Sequence, residues 1–448
     1  MNKLDKIFKA YDVRGVYPSD LNEEIAYDFG QATAQFLNSQ IKDFKLKTRD
    51  LGDIAVGRDG RSSSEALSKV LIEGIRDQGN DVIDLGIVTV PMFCFFTAKN
   101  KLKGGVMVTA SHNPGKYNGF KVIKENAMPV GEGLGLEKIK ELMGKKNNRF
   151  TRGKLEKREI LQVYINHILG FVKNIDSFKI VIDTANGVAA LVLPELFREV
   201  PNKLIHIFPK IDGSFPGHEP NPSEPKNTQD LQKRVLAEKA DLGVSFDGDG
   251  DRIFFIDENG ERVSPDLIGA VIVHYYFKNG GKMLCTEVSS RNIKEEIGDS
   301  NNELLISRVG HTFIKQMMIE QGATFGCEPA GHYYIDSNYF NESPFIILLK
   351  ILEILSKTKM PLSELVKQFK KYHSKRIRLD SVNLKKVEEK YKKTGKVRKL
   401  DGLTMEFGNW WFNLRASNTE PIHRLTIEAR DKELLEEKTE ELLKLIQS

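Results

Sequence analysis

Three times along this 448-residue chain a short apolar run passes through a turn of small residues into an amphipathic stretch, and that recurrence limits the fold more than any other feature. The first instance is Asp53-Ile-Ala-Val-Gly57, after which Ser62-Ser-Ser64 opens a stretch to Asp77 with Leu67, Val70, Leu71 and Ile75 on one side. The second is Lys179-Ile-Val-Ile-Asp183, a turn at Asn186-Gly187, and a helix from Val188 to Arg198. The third is Lys282-Met-Leu-Cys-Thr286, the turn Ser289-Ser290, and a helix to Ile297. Asp81 to Val90 and Gly105 to Thr109 read as further strands, and Lys154 to Val172 as a charged helix. The interval between instances exceeds the roughly 20–50 residues of a solenoid repeat, so the pattern describes repeated α/β domains. At about 150 residues per domain, the length accommodates three or four of them.

The last part of the chain differs. Lys370 to Lys399 carries 13 basic against 3 acidic residues, and strand-like segments and a final helix from Asp431 to Gln447 follow. This shift predicts a boundary near residue 370 and a smaller α+β domain beyond it. The basic run has only Tyr372 and Tyr391 as stacking aromatics, so a solvated helix face is preferred to a nucleic-acid patch. Over the whole chain 67 basic and 62 acidic residues leave a net charge of +5, which argues for neither nucleic acid nor a membrane surface. The most apolar stretch, Phe345 to Leu355, is broken by Lys350 and Glu353, well short of the roughly 18 apolar residues of a spanning helix. Met1 to Arg14 lacks an apolar core, so no secretion signal is read and a cytoplasmic protein is expected. Cys94, Cys285 and Cys327 are too scattered for a disulfide framework or a zinc pattern.

The sharpest chemical signal is Ser245-Phe-Asp247-Gly-Asp249-Gly-Asp251-Arg252. Carboxylates at alternate positions share one side of an extended or curled loop. Three crowded anions call for a cation, and hard oxygen donors suit Mg²⁺ or Ca²⁺. A Ca²⁺ loop of the form D-x-D-x-D-G-x₅-E finds Glu258 at its twelfth position, yet Arg252 stands where the sixth must be Gly. Its flanks, Leu242 to Phe246 and Ile253 to Ile256, read as strands rather than helices. Mg²⁺ usually completes its shell with waters and a phosphate oxygen, so a partner phosphate is expected.

Thr109-Ala-Ser111-His112-Asn113-Pro114 offers a donor for it. It puts a serine hydroxyl at a strand terminus, where ligands bind in open α/β sheets. A hydrolase elbow would need glycines where Thr109 and Asn113 stand. Alone, the string suits an ordinary turn equally well, and a Ser111–His112 pair is one arrangement open to it. Asn118-Gly119-Phe120-Lys121 adds a cation suited to proton donation or phosphate clamping. Arg415-Ala-Ser417-Asn418-Thr419-Glu420-Pro421, with Arg424 beyond, collects guanidinium, hydroxyl and amide donors fit for a dianion. Glu328-Pro-Ala-Gly331-His332 places a carboxylate and an imidazole on one turn, able to bracket vicinal sugar hydroxyls.

Taken together these segments resemble the α-D-phosphohexomutases, in particular the phosphomannomutase/phosphoglucomutase branch. The resemblance runs in family order through Tyr11-Asp-Val-Arg14-Gly15, Gly57-Arg-Asp-Gly-Arg61, the Ser111 loop, the Asp247 loop, Val309-Gly310-His311, the Glu328 loop and the Arg415 loop. It implies three similar mixed-sheet α/β domains and a smaller C-terminal α+β domain around a central cleft. In this sequence they would be residues 1–150 bearing the phosphoserine, 151–257 the metal, 258–369 sugar recognition, and 370–448 phosphate binding. Ser111 would be the phosphoserine, and Asp247, Asp249 and Asp251 would hold Mg²⁺ together with a phosphate oxygen on Ser111. Glu328 and His332 would read sugar hydroxyls, with Tyr11, Arg252, Gly310, Ala330 and Gly331 also lining the substrate site. Arg415, Ser417, Asn418, Thr419 and Arg424 would hold the non-reacting phosphate. The family's sugar loop usually reads G-E-x-S-G-H, and here Cys327 and Ala330 replace its first Gly and its Ser. A lysine common after the third-domain strand is replaced by Val288 or Ser289.

The implied reaction is reversible transfer of phosphate between O1 and O6 of mannose or glucose, through a hexose 1,6-bisphosphate that turns end for end. Candidates for the proton-transfer group are Lys121 and His311 first, then His112 and Arg14. Hexose phosphates are the expected partners of a monomer or weak dimer, with neither nucleic acid nor membrane. Phosphoglucosamine mutase is the nearest alternative. A silent sugar-phosphate-binding protein would be expected to have lost Ser111 or an acid of the metal loop, and all four are present.

Overall fold

The computed structural model describes residues 3–40, 53–145, 151–278, 280–380, 382–417 and 422–447. The chain divides into two compact units, Met1–Val263 with Ala330–Ser363, and Ser264–Pro329 with Glu364–Ser448.

In the first unit a mixed sheet runs in the order Val13–Val16, Tyr117–Lys124, Gly104–Val108, Ile54–Arg58, Val82–Ile87, Leu155–Lys157, with Met128–Val130 pairing to Tyr117–Lys124. Ile54–Arg58 is parallel to both its neighbours, whereas Tyr117–Lys124 runs antiparallel to Gly104–Val108. Gly104–Val108 is buried throughout and reads apolar at every position, as a central strand covered on both faces must. The helices Glu23–Ser39 and Ser64–Asp77 pack backbone to backbone: a Cβ on Gly30 would lie 2.3 Å from the Leu71 carbonyl oxygen, and one on Gly74 2.2 Å from that of Tyr27. The helix Val90–Lys99 was not expected from the sequence. It is buried on all sides except at Lys99, so it shows no polar face and no helical period, and the strand read over Asp81 to Val90 ends at Ile87. Its start is set by Thr89, whose Oγ1 accepts the Met92 N–H at 3.2 Å.

A second sheet in the same unit has the order Arg262–Val263, Ile253–Ile256, Leu242–Phe246, Lys179–Asp183, Lys203–Ile207. Leu242–Phe246 and Ile253–Ile256 form an antiparallel hairpin with Phe246 opposite Ile253, so the acidic motif is a hairpin loop. The charged helix expected over Lys154 to Val172 is a short strand, Leu155–Lys157, and a helix, Leu161–Leu169. Leu155 extends the first sheet opposite Val82, and that edge pairing overrides the local helical pattern.

In the second unit Lys282–Thr286 lies parallel to Glu303–Ser307 and to Phe325–Cys327. The helix Arg291–Asp299 is capped by Ser290, whose Oγ accepts the Asn292 N–H at 3.0 Å. The C-terminal sheet is antiparallel, in the order His373–Leu379, His423–Ala429, Trp410–Ala416, Leu403–Glu406, Lys396–Arg398. Its apolar positions alternate, and Phe412, Leu414, Leu425 and Ile427 pack with Val387 of helix Leu384–Tyr391 and with Leu435 and Leu442 of helix Lys432–Gln447. The lysine-rich run is therefore a strand, a helix and a second strand, not one helix face. Among the described residues no helix is long and apolar enough to cross a membrane, and Cys94, Cys285 and Cys327 are buried free thiols.

Candidate active site

Ser111 stands just past the C-terminal end of strand Gly104–Val108, with φ at +51°, a left-handed conformation that strains a residue with a Cβ. Four observations hold it there. Its N–H donates to Thr109 Oγ1 at 2.8 Å, and Asn113 N–H closes a turn on the Ala110 carbonyl at 3.0 Å. Arg61 Nη2 donates to the carbonyls of Ser111 and Asn113, and Nη1 to those of Pro114 and Tyr117, at 2.6–3.0 Å. Asp59 in turn fixes Arg61 through Nε at 3.0 Å. Arg61 thus fills the inside of the serine loop, a role that the G-R-D-G-R string did not disclose.

The Asp247 loop approaches Ser111 closely: a Cβ on Gly248 would lie 2.6 Å from the Ser111 carbonyl oxygen. Asp247 Oδ1 accepts the N–H groups of Asp251 and Arg252 at 3.1 and 3.2 Å, which curls the loop, and Gly250 takes φ +69° to complete the curl. Ser111 Oγ donates to Asp247 Oδ2 at 3.1 Å and lies 3.2 Å from His112 Nδ1. Lys121 Nζ sits 2.7 Å from both Asp249 Oδ2 and Asp251 Oδ2.

All three aspartates are buried and offer oxygens within 4.8 Å of one another. Burial, then repulsion from Asp251, raises the carboxyls of Asp247 and Asp249. Burial also acts to raise Asp251, but Lys121, His332 and Arg252 outweigh it and hold that carboxyl well below the usual range. Lys121 is the reverse: burial favours the neutral amine, and Asp249 and Asp251 overcome it and keep the ammonium charged. Asp249 Oδ1 and Asp251 Oδ1 are buried without a hydrogen-bond partner. Unsatisfied, crowded carboxylate oxygens are the donor set of a hard divalent cation, so the residues fit Mg²⁺. The Ca²⁺ reading loses its twelfth ligand, because Glu258 accepts from the N–H and hydroxyl of Ser363 instead.

Arg252 ties two imidazoles to this loop. Its Nε donates to His332 Nε2 and its Nη2 to His112 Nδ1, each at 3.0 Å. Burial, followed by the charges of Arg252 and Arg14, holds His112 well below the ordinary histidine range, so this ring is neutral. Arg14 is bound to Asp12 through Nε and Nη2 and donates to Asn113 Oδ1 at 2.6 Å, flanking the serine loop. Tyr11 is half-buried at the turn before Arg14. Gly331, at φ +87°, accepts the Ile253 N–H at 3.1 Å, and half-buried Ala330 precedes it. Asp251, His332 and Glu342 form a second buried group with ligand atoms inside 4.8 Å. Glu342 went unread in the sequence because it reaches the loop through its pairing with Tyr334, which no local string reveals.

The first unit thus gathers Ser111, His112, Arg14, Lys121, Asp247, Asp249, Asp251, Arg252 and His332. The second unit carries the remainder. Gly310, at φ +133°, precedes His311, the first residue of helix His311–Gln321, and Val309 N–H donates to Asp401 Oδ2 at 2.8 Å. Glu328 is buried just after strand Phe325–Cys327, and Arg376 Nη1 donates to the neighbouring Pro329 carbonyl at 3.2 Å. Arg415 and Arg424 face each other across a hairpin whose loop is closed by the Ser417 N–H on the Ile422 carbonyl at 2.8 Å. Asn418 and Thr419 lie outside the described residues.

A buried serine on a triad of acids beside basic donors is a phosphoryl-transfer arrangement, and comparison with known proteins narrows the class. Four domain descriptions of the phosphoglucomutase/phosphomannomutase family match: alpha/beta/alpha domain I over residues 5–150, domain II over 162–260, domain III over 264–372, and the C-terminal domain over 359–445. The chain is 35% identical to a phosphomannomutase of Vibrio cholerae, with 98% of each chain covered. It is also 35% identical to a phosphomannomutase of Methanocaldococcus jannaschii, over 98% of this chain and 97% of the relative. A crystal structure of a phosphoglucomutase/phosphomannomutase family protein from Burkholderia thailandensis superposes with TM-score 0.88 at 28% identity, covering 98% of this chain and 96% of that one. This chain belongs to the phosphoglucomutase/phosphomannomutase family. It is an isomerase of the phosphohexomutase type.

Proposed function

We propose that the chain moves a phosphoryl group reversibly between O1 and O6 of mannose phosphate, and of glucose phosphate, with Ser111 as the residue that carries it. The observation that supports this reading is Ser111 Oγ lying 3.1 Å from a carboxylate of the buried aspartate triad. The name phosphomannomutase shared by relatives at 35% identity supports the choice of mannose.

On this reading Asp247, Asp249 and Asp251 hold Mg²⁺, which when bound offsets charge on the transferring phosphoryl oxygens. In the first half-reaction the P–Oγ bond of phosphorylated Ser111 breaks as a new P–O bond forms to the free sugar hydroxyl, whose proton goes to a base. Hexose 1,6-bisphosphate turns end for end, and the second phosphate returns to Ser111. Lys121, charged and shared by two carboxylates, serves as a phosphate clamp and not as the base. Of the candidates read from the sequence, His112 is the neutral imidazole beside the seryl oxygen. Glu328 and His332 read sugar hydroxyls, and Arg415, Ser417 and Arg424 hold the phosphate that is not reacting. Catalysis then rests on positioning and charge neutralisation, as phosphoryl transfer allows. The enzyme works on soluble hexose phosphates, in the cytoplasm.

The test is a coupled assay of the purified protein on mannose 1-phosphate, glucose 1-phosphate and glucosamine 1-phosphate with Mg²⁺ and a trace of hexose 1,6-bisphosphate. Mannose or glucose phosphate should turn over fastest. A wide preference for the amino sugar would replace this reading with phosphoglucosamine mutase.

A further inference from the structure

The hairpin that carries Arg415 and Arg424 lies in a sheet whose edge strand adds a third arginine to the same row. Arg415 on strand Trp410–Ala416 is the register partner of Arg424 on His423–Ala429. Arg424 is in turn the partner of Arg378 on His373–Leu379. Residues directly opposite in antiparallel strands leave the sheet on one face, with Cβ atoms about 4.5–5.5 Å apart. The row lies one residue inward of the Ala416–His423 pair, at the base of the loop that runs from Ser417 to Ile422. The other face of these strands is taken up by Leu379, Leu414 and Leu425, which pack with the C-terminal helices. Three guanidinium side chains therefore rise together from the face turned away from those helices.

Like charges placed opposite one another are destabilising, so such a row needs an anion on that face. Arg415 is 9% exposed, and its hydrogen bond runs to the carbonyl of its own neighbour, Ala416, at 3.2 Å. Among the described residues no carboxylate lies within 4 Å of it. The nearest acids on the same face are committed elsewhere: Glu428 accepts from Trp411 Nε1 and the Arg291 N–H, and Glu406 from Arg398. Exposure rises across the row, from buried Arg415 through half-buried Arg424 to exposed Arg378.

We propose that Arg378 is a specificity-determining residue of the phosphate cradle, closing its outer side over a dianionic phosphate monoester held on the inner side by Arg415 and Arg424. The inference rests on the assignment of those two arginines to the non-reacting phosphate. A phosphate monoester dianion has three terminal oxygens, and guanidinium groups meet such oxygens with paired donors. Arg378 favours the fully ionised ester because a third cation rewards the second negative charge.

The experiment is steady-state kinetics of Arg378→Gln and Arg415→Gln in the full chain with Mg²⁺ and mannose 1-phosphate, with inorganic phosphate as competing anion. For Arg378→Gln the KM and the phosphate inhibition constant should both rise about tenfold, equivalent to about 1.4 kcal/mol, with kcat within about twofold. Arg378→Lys should recover part of the loss, since it restores charge without the fork. If Arg378→Gln leaves both constants unchanged while Arg415→Gln raises them, the third arginine is overturned and the cradle stands. If neither variant moves them, the cradle assignment fails as well. A fall in kcat, or in melting temperature, with an unchanged inhibition constant also counts against the proposal.

Discussion

The serine end and the arginine end of this molecule handle charge in opposite ways. Around Ser111 three buried acids are crowded together, and the chain supplies counter-charges from Lys121, Arg14 and Arg252. On the C-terminal sheet three arginines share one row, and Arg415 meets no acid among the described residues. The first site is neutralised and stiffened before any ligand arrives. The second is left for a ligand to complete. A buried charge cluster needs its balance built in because desolvation is severe, whereas a half-exposed row can be balanced by water until an anion displaces it.

This contrast breaks most sharply at Ser111. Ser111→Ala should abolish turnover, by at least about 10⁴-fold in kcat, while calorimetry shows sugar-phosphate binding within about tenfold of wild type, near 1.4 kcal/mol. Full activity in that variant, with no other serine phosphorylated, would remove the nucleophile from this residue. Next is Asp249→Asn, which leaves the triad one charge short. The expected loss is about 10³-fold in kcat, close to 4 kcal/mol, with a higher Mg²⁺ requirement. An unchanged Mg²⁺ titration would show that the triad is structural.

A smaller effect separates building from chemistry. Arg61→Met removes the buried cation under the serine loop and strands Asp59, which should lower unfolding free energy by about 3–5 kcal/mol in a denaturant titration. Stability within 1 kcal/mol of wild type, on the order of experimental error, would mean the loop is held by other bonds. The smallest effect lies in the second unit. Burial raises the Asp266 carboxyl to about 6, and the Arg376 charge only partly opposes this. The folded form thus binds this proton more tightly than the unfolded chain, whose carboxyl titrates near about 4. The group's contribution is most favourable at low pH and is lost as pH rises from about 4 through 6. Asp266→Asn should therefore gain on wild type by about 1–3 kcal/mol between pH 4.5 and pH 8. A stability difference that does not change with pH would show that the carboxyl titrates normally.

Most of the fold could be read where residues repeat at a regular spacing. The strands Lys179–Asp183, Leu242–Phe246 and Ile253–Ile256 appear at the positions the apolar runs indicate. The helix Val90–Lys99 escaped because complete burial erases the amphipathic signal. Leu155–Lys157 escaped because a distant edge, not its own composition, makes it a strand. The site shows the same division. The aspartate triad and Ser111 sit in local strings whose chemistry is legible, and the structure brings them to hydrogen-bonding distance. Arg61, Glu342 and Arg378 matter through partners roughly 50, 10 and 46 positions away, and such pairings follow from packing and strand register rather than from neighbouring letters. Lys121 is legible as a cation, but its engagement by two carboxylates is not.

The left-handed backbone at position 111 has a further meaning. Glycine would rest there without strain, so a chain shaped for durability alone would abandon the hydroxyl. By keeping a side chain in an uncomfortable pose, this protein gives up a little folding free energy to hold one oxygen atom in place. Variants recovered by screening for heat tolerance should drift towards glycine at this residue, and would become sturdier as they fall silent.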